Sequence, residues 1–173
     1  SLTVACTALC FDPLAALAQA NTVWHEMTAG TDGCEFSWSD MILGPDGTVY
    51  ACGTELFQNH EVPVVKCWYL DGTEKWSFRY PTVETGPYIG ARADRIVLLN
   101  GFLYTAGSGS QSMPYSQRDI YVQKIYASSG QLSTKRWYDP GTPMGSQTFR
   151  SITTDGENLI LAGDVNQHQL FVL

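Results

Sequence analysis

The sequence predicts an all-β fold built from repeated four-stranded antiparallel units. A turn, a short apolar strand and a closing glycine occur together three times, at residues 46–53, 100–107 and 155–163. The closing glycines lie 54 and 56 residues apart, and a fixed period of this size indicates a modular architecture. The 16 glycines and the low charged content of 16% agree with a turn-rich β-protein.

Segments on both sides of this motif repeat as well, and they complete a unit of four strands. First strands are predicted at residues 40–43, 94–98 and 150–153, third strands with their turns at 64–72 and 122–130, and fourth strands opening at 74–76 and 135–137. Apolar strands joined by Asp-Gly or Asn-Gly turns are a hairpin signal. Longer polar loops are predicted between the second and third strands, at residues 55–63 and 108–118.

The units divide one repeat domain, residues 1–173, into two whole and two partial copies. These copies are residues 1–38, 39–92, 93–149 and 150–173. In the first partial copy, residues 2–11 and 22–25 are predicted as its third and fourth strands. Asp12, Pro13 and the Ala/Leu-rich stretch after them favour one or two helical turns between these strands, and a longer amphipathic helix to Met27 is the alternative.

Charge and composition exclude several classes of partner. The net charge of −7 and the scattered Lys and Arg residues argue against nucleic-acid binding. No apolar stretch reaches the ~20 residues that span a bilayer, so no membrane span is predicted. Residues 2–20 lack a basic start and are interrupted at Asp12-Pro13, which favours mature structure over a secretory signal.

Five cysteines cannot all pair within one chain. Cys52 and Cys67 fall on neighbouring predicted strands of one unit and could be close enough to bond. Buried free thiols are the favoured interpretation, because such thiols behave as small apolar side chains.

Residues 46–53 and 64–76 carry Gly-x-x-Tyr-x-x-Gly, then Lys and Gly, then Trp. This order resembles a family of bacterial β-propeller repeats and the tryptophan-docking blades of the pyrroloquinoline-quinone-dehydrogenase-like superfamily. The resemblance implies a partial β-propeller of about three four-stranded blades, whereas complete propellers have about four to eight. It also implies that Trp76 and Trp137 fill the gaps between neighbouring blades. The implied blade markers are Gly53, Gly107, Gly163, Trp24, Trp76 and Trp137.

The motif that ends WD-repeat blades is absent, because Phe78 and Tyr138 are the aromatic residues that follow the tryptophans. Asp40 and Asp94 begin equivalent first strands, with Arg150 in the third place, and could form a polar ligand rim. The competing interpretation is a recurring turn-capping role, which Asp performs often.

No motif points to a catalytic site, a metal or a cofactor. His25, His60 and His168 share no ligand spacing, and there is no C-x-x-C pair. There is no Gly-x-Ser-x-Gly elbow, and the vicinal cysteine pair of the quinone-dependent family does not occur.

The remaining candidates are recognition loops. Residues 57–61 and 111–117 contain Phe57, His60, Met113 and Tyr115, and aromatic side chains on loops of a rigid scaffold are common recognition elements. Ordinary loop packing is the alternative interpretation.

The leading hypothesis is a non-enzymatic structural or interaction module of a larger extracellular, envelope or virus-particle assembly. A protein partner or self-association would complete the ring or cover open strand edges. A fragment of a larger propeller hydrolase, lyase or quinoprotein, with its active residues outside this span, is the alternative. A further alternative is carbohydrate binding through Trp68, Tyr69, Tyr115 and Tyr121.

Overall fold

The protein consists of antiparallel β-strands in every part of the chain that the computed structural model describes. These parts are residues 35–57, 60–80, 90–110, 118–138, 147–165 and 169–172. The first sheet contains β1 (Glu35–Leu43), β2 (Val49–Phe57), β3 (His60–Trp68) and β4 (Glu74–Arg79). The second contains β5 (Gly90–Ala91), β6 (Arg95–Leu99), β7 (Phe102–Ser110), β8 (Asp119–Tyr126) and β9 (Leu132–Tyr138). The third contains β10 (Gln147–Thr154), β11 (Leu159–Val165) and β12 (Gln169–Val172).

Strand order follows chain order in all three sheets, which confirms the predicted all-β antiparallel class. In the second sheet, β5 and β6 pair with successive parts of β7 and together replace one long first strand. The partial copy predicted at the N-terminus, with its helical turns and Trp24, lies outside the described residues as far as residue 34. The described strands and turns include no helix long and apolar enough to cross a membrane.

The Asp-Gly turns form because carboxylates accept hydrogen bonds from the turn backbone. Asp46 accepts from the Thr48 amide at 3.2 Å and from its hydroxyl at 2.5 Å. Asp155 accepts from the amides of Glu157 and Asn158 at 2.9 and 2.7 Å. Gly47, with φ of 80°, occupies the left-handed region that glycine adopts without a steric cost.

The three repeated glycines are explained by a backbone bulge in the strand beside them. Pairing shifts between Trp38 and Asp40 next to Gly53, and a Cβ atom on Gly53 would lie 2.3 Å from the Ser37 carbonyl oxygen. The break between β5 and β6 has the same effect, because a Cβ atom on Gly107 would lie 2.1 Å from the Arg92 oxygen. Gly163 pairs with Phe149 at a third such shift. The motif therefore marks a close backbone approach, which a side chain would block.

Apolar clusters join the sheets through their faces, and the second sheet is buried on both sides. One cluster contains Tyr50, Cys52, Val65 and Cys67 of the first sheet and Ala93, Ile96, Leu103, Ile125 and Ala127 of the second unit. Another joins the second sheet to the third through Ala106, Ile120, Val122, Phe149, Ile152 and Leu161. Each sheet therefore uses a neighbouring sheet to remove its apolar face from water.

Trp76 lies between the first two sheets. Its indole nitrogen donates to the Ala127 carbonyl at 3.0 Å, and its ring lies against Gly130, where a Cβ atom would be 2.5 Å from the ring.

The predicted equivalence of Trp76 and Trp137 is wrong, because the strand register places them differently. When the two sheets are aligned on Gly53 and Gly107, Cys67 of the first sheet corresponds to Lys124 of the second. Cys67 pairs with Trp76 and Lys124 pairs with Thr134, so Trp76 corresponds to Thr134. Trp137 lies three positions further along its strand, opposite Tyr121. An odd shift moves a side chain to the other face of the sheet. Trp137 accordingly packs against the cluster of Val62, Tyr80, Ala91 and Tyr121, which joins the same two sheets as Trp76.

A difference of one residue in turn length contributes to this shift. The turn after β3 is closed by a hydrogen bond from the Tyr69 amide to the Thr73 oxygen. The turn after β8 runs from Tyr126 to Gln131 and is one residue longer.

The aromatic pair that does repeat in the register is Tyr80 and Tyr138. Tyr80 packs against Ala91 of the second sheet, and Tyr138 packs against the cluster that contains Phe149 of the third.

The polar loop predicted at residues 55–63 is also wrong. β2 continues to Phe57 and β3 begins at His60, and these two residues are paired. In this extended part of the sheet, Glu55 of β2 forms an ion pair of 2.6 Å with Arg79 of β4. The polar residues of the predicted loop are therefore residues of paired strands. In the second predicted loop, β7 extends to Ser110 and β8 begins at Asp119, while residues 111–117 lie outside the described parts.

Candidate functional site

A cleft opens between the first and second sheets beside the glycine-marked bulges. Its cavity volume is about 480 Å³, and its walls are Phe36, Ser37, Thr54, Leu56, Glu61 and Arg92. Ser37 and Arg92 are the residues whose carbonyl groups approach Gly53 and Gly107, so they occupy corresponding bulge positions of the two sheets. The two bulge positions thus bring two different side chains, a hydroxyl and a guanidinium, to one cleft.

Charges of both signs meet in the wall of this cleft. The Nε atom of Arg92 lies 3.3 Å from an Asp94 carboxylate oxygen and 3.9 Å from a Glu61 oxygen. The Glu61 contact crosses from the first sheet to the segment between β5 and β6. Gly90 makes this crossing possible, because a Cβ atom there would lie 3.1 Å from the Glu61 amide nitrogen, and its φ of 141° suits glycine.

Backbone contacts hold the two walls together. Thr54 accepts a hydrogen bond from the Ala93 amide at 3.3 Å, and Asp40 accepts one from the Ile96 amide at 3.1 Å. Both bonds join the first sheet to the chain of the second. The walls are paired strands joined by these hydrogen bonds, so the cleft is preformed and needs no rearrangement to accept a ligand.

The predicted rim of Asp40, Asp94 and Arg150 does not act as one group. Asp40 binds backbone amides, Asp94 pairs with Arg92, and Arg150 lies 2.5 Å from Asp164 across the third bulge. No hydrogen bond or ion pair joins the three to one another in the described parts of the chain. Asp94 alone contributes to the charge of the cleft.

The predicted recognition residues are placed on the strands or lie outside the description. Phe57 ends β2 with the Arg79 guanidinium 4.3 Å from its ring centre, and His60 begins β3. Met113 and Tyr115 lie outside the described residues, as do His25 and His168. Within the described ranges there is no group of three or more His, Cys, Asp or Glu side chains that could hold a metal.

The aromatic set suggested for sugar binding is not available as a surface. Trp68 is 3% exposed and Tyr121 is 1% exposed, so neither ring can stack on a ligand. Tyr69 is exposed at a turn, and Tyr115 lies outside the described residues.

Cys52 and Cys67 are free and buried, as predicted. Desolvation raises the pKa of both thiols, that of Cys67 to about 11. The thiolate, which is the reactive form, is therefore scarce at neutral pH, and both residues act as core side chains.

A buried polar pair lies within the second sheet. Thr105 and Gln123 face each other on β7 and β8, and both are almost fully buried. Among the described residues, neither the Thr105 hydroxyl nor the Gln123 amide has a hydrogen-bond partner. Such groups carry a desolvation cost, so this pair is a weak point of the core.

Two further features bear on assembly. Among the described strands, β12 is the last of the third sheet, whereas the first and second sheets have a fourth strand beyond the corresponding position. Met41 and Leu43 of the first sheet are 53% and 67% exposed. Because Ile42 between them packs into the cluster with the second sheet, these two side chains point to the opposite face.

The sequence could not single out the cleft, because its members are far apart in the chain. The spacing of 55 residues between Ser37 and Arg92 was a usable signal, since it matches the repeat period and the two residues flank equivalent bulges. Glu61 carried no such signal, because the segment around it was interpreted as a loop. No protein-family model matches this chain, and a search of curated proteins finds no match either.

Proposed function

We propose that the chain is a non-enzymatic module of a larger assembly, in which its sheets stack as propeller blades and an edge strand joins another polypeptide. The observation that carries the proposal is the edge of β12. The first and second sheets add a fourth strand at this position, whereas β12 has no such neighbour among the described residues.

The arrangement of first strands supports a blade-like stack. β6 lies beside β1 on one side and beside β10 on the other. First strands that approach one another from sheet to sheet are what an arrangement around an axis requires. The two apolar clusters between the sheets supply the stabilisation that such stacking needs.

The register defines which backbone groups of β12 face the open edge. Gly53 pairs with Val64 and Gly163 pairs with Phe171, so Leu170 is equivalent to Pro63. The Pro63 carbonyl accepts from the Tyr80 amide at 3.1 Å, on the fourth-strand side. The backbone groups of Leu170 and Val172 therefore point away from β11, where another strand can pair with them.

The exposed face of the first sheet supports the same role. Met41 and Leu43 present apolar side chains on the face that does not meet the second sheet. Two exposed apolar side chains on one sheet face are consistent with an interaction surface there. Together with the edge of β12, they give the described sheets two surfaces on which another chain could bind.

A pair of proline variants tests the proposal. Val172→Pro removes an amide from the open edge, at a position whose equivalent in β3, Val65, pairs with Phe78 of the fourth strand. Phe171→Pro removes an amide directed at β11 and serves as the control that damages the sheet itself.

Molar mass from light scattering, with circular dichroism to verify folding, is the readout. We expect the unmodified chain to assemble with itself or with a captured strand, Val172→Pro to remain folded with a lower mass, and Phe171→Pro to lose structure. A folded monomer whose mass is the same with and without Val172→Pro, and which binds no second chain, contradicts the proposal.

A further inference from the structure

We propose that the cleft between the first and second sheets binds a neutral carbohydrate, one sugar unit at a time. This inference rests on the walls of the cleft and is independent of assembly through β12. The residues involved are different from the aromatic residues that the sequence suggested for sugar binding.

The size of the cleft fits a small ligand. Its volume of about 480 Å³ lies within the roughly 300–1,000 Å³ that is usual for small-molecule sites. Its walls come from β1, β2 and β3 and from the segment that carries Arg92. The hydrogen bond between Thr54 and the Ala93 amide fixes the distance between the two sheets beside it.

The charges of the cleft select against ions. An anion near Arg92 would also meet Asp94 at 3.3 Å and Glu61 at 3.9 Å from the guanidinium nitrogen. A cation near Glu61 would meet Arg92. A neutral molecule with several hydroxyl groups avoids both repulsions, because it can donate to Glu61 and accept from Arg92.

The rest of the lining matches the two sides of a sugar ring. The hydroxyl group of Ser37, an exposed residue, can both donate and accept. Leu56 shares this face of the first sheet with Ser37 and Glu61 in the strand register, and it supplies an apolar surface on which the C–H groups of a sugar can pack. The Phe36 ring lies on the opposite face of β1, where its centre is 4.3 Å from that of Trp38.

Binding by neutral monosaccharides tests the inference. Saturation-transfer NMR and calorimetric titration would use glucose, galactose, mannose, fucose and N-acetylglucosamine, with acetate and methylammonium as charged probes. The cleft variants are Glu61→Gln, Arg92→Met and Ser37→Ala, and the matched controls are Arg136→Met and Glu157→Gln, which change exposed charges outside the cleft wall.

We expect at least one of the sugars to bind, and its affinity to fall roughly tenfold in Glu61→Gln and Arg92→Met, as for the loss of one charge-assisted hydrogen bond. The controls and Val172→Pro should bind as the unmodified chain does, which separates this inference from the proposed assembly. If Arg92→Met does not fold, Ser37→Ala still reports on the cleft. Absence of binding by all five sugars, unchanged affinity in the folded cleft variants, or tighter binding of acetate or methylammonium overturns the inference.

Discussion

The indole nitrogen of Trp76 donates a hydrogen bond to the backbone carbonyl of Ala127, 3.0 Å away, and so ties the fourth strand of the first sheet to a turn of the second. The ring fills space that only Gly130 leaves open, since a Cβ atom there would lie 2.5 Å from the ring. This contact joins two sheets through one side chain.

Replacement of Trp76 is expected to weaken the junction between the sheets. Trp76→Phe keeps most of the ring and removes the hydrogen bond, which should cost about 1 kcal/mol, whereas Trp76→Ala should cost about 3–5 kcal/mol. Urea unfolding measures both values. Trp137→Phe is the control, because among the described residues its indole donates no hydrogen bond to another sheet. A loss in Trp137→Phe as large as that in Trp76→Phe would contradict the assignment.

Replacement of a bulge glycine is expected to be more harmful than replacement of a turn glycine. Gly107→Ala places a Cβ atom 2.1 Å from the Arg92 oxygen and should destabilise the fold by at least about 2 kcal/mol. Gly101→Ala meets no atom within 4 Å and should cost about 1 kcal/mol, from its φ of 77° alone. Chemical unfolding ranks the two, and the reverse order would show that the bulge does not explain the motif.

The acid stability of the protein should depend on its turn carboxylates. Hydrogen bonds from Thr48, Thr73 and Asn158 hold the pKa values of Asp46, Asp71 and Asp155 below the ordinary value of 3.8. Because the folded-state values are lowered, this stabilisation is present above pH 3.8 and is lost as the pH falls through the lower folded-state values.

Melting temperatures measured between neutral pH and about pH 2 test this dependence. The variant with Asn at positions 46, 71 and 155 should melt at a lower temperature at neutral pH, and its melting temperature should change less in acid. Parallel pH profiles for the variant and the unmodified chain would contradict the prediction.

The buried pair of Thr105 and Gln123 should be replaceable by apolar residues. Neither side chain has a hydrogen-bond partner in the described structure, so Thr105→Val with Gln123→Leu removes two desolvated polar groups with little change of shape. We expect the double variant to be at least as stable as the unmodified chain in urea unfolding. A loss above about 1 kcal/mol would mean that the pair makes useful hydrogen bonds.

Local patterns predicted the turns and the central part of most strands, but not the strand ends. The Asp-Gly and Asn-Gly turns and the alternating strands depend on neighbouring residues, and they appear where the sequence indicates. The regular spacing of Gly53, Gly107 and Gly163 was also evident from the sequence, but the structural reason for it was not. That cause is a bulge in a different strand, which local sequence does not describe.

Register and the cleft could not be predicted in the same way. One additional residue in the turn from Tyr126 to Gln131 changes which side chains are equivalent, so an alignment of Trp76 with Trp137 gives the wrong face. The cleft depends on the approach of Glu61 to Arg92, which are 31 residues apart in the chain and on different sheets. Contacts of this kind follow from the stacking of sheets, and no motif records them.

Hydrogen exchange at individual amides of β12 tests the central claim most directly. In the assembled protein, the account predicts that the amides of Leu170 and Val172 exchange slowly, because a strand from another chain pairs with them, and that dilution to the separated chain releases them. The Phe171 amide, which faces β11, should stay protected in both states. Rapid exchange at Leu170 and Val172 in the assembled protein, with Phe171 protected, would contradict the claim that this edge is the site of assembly.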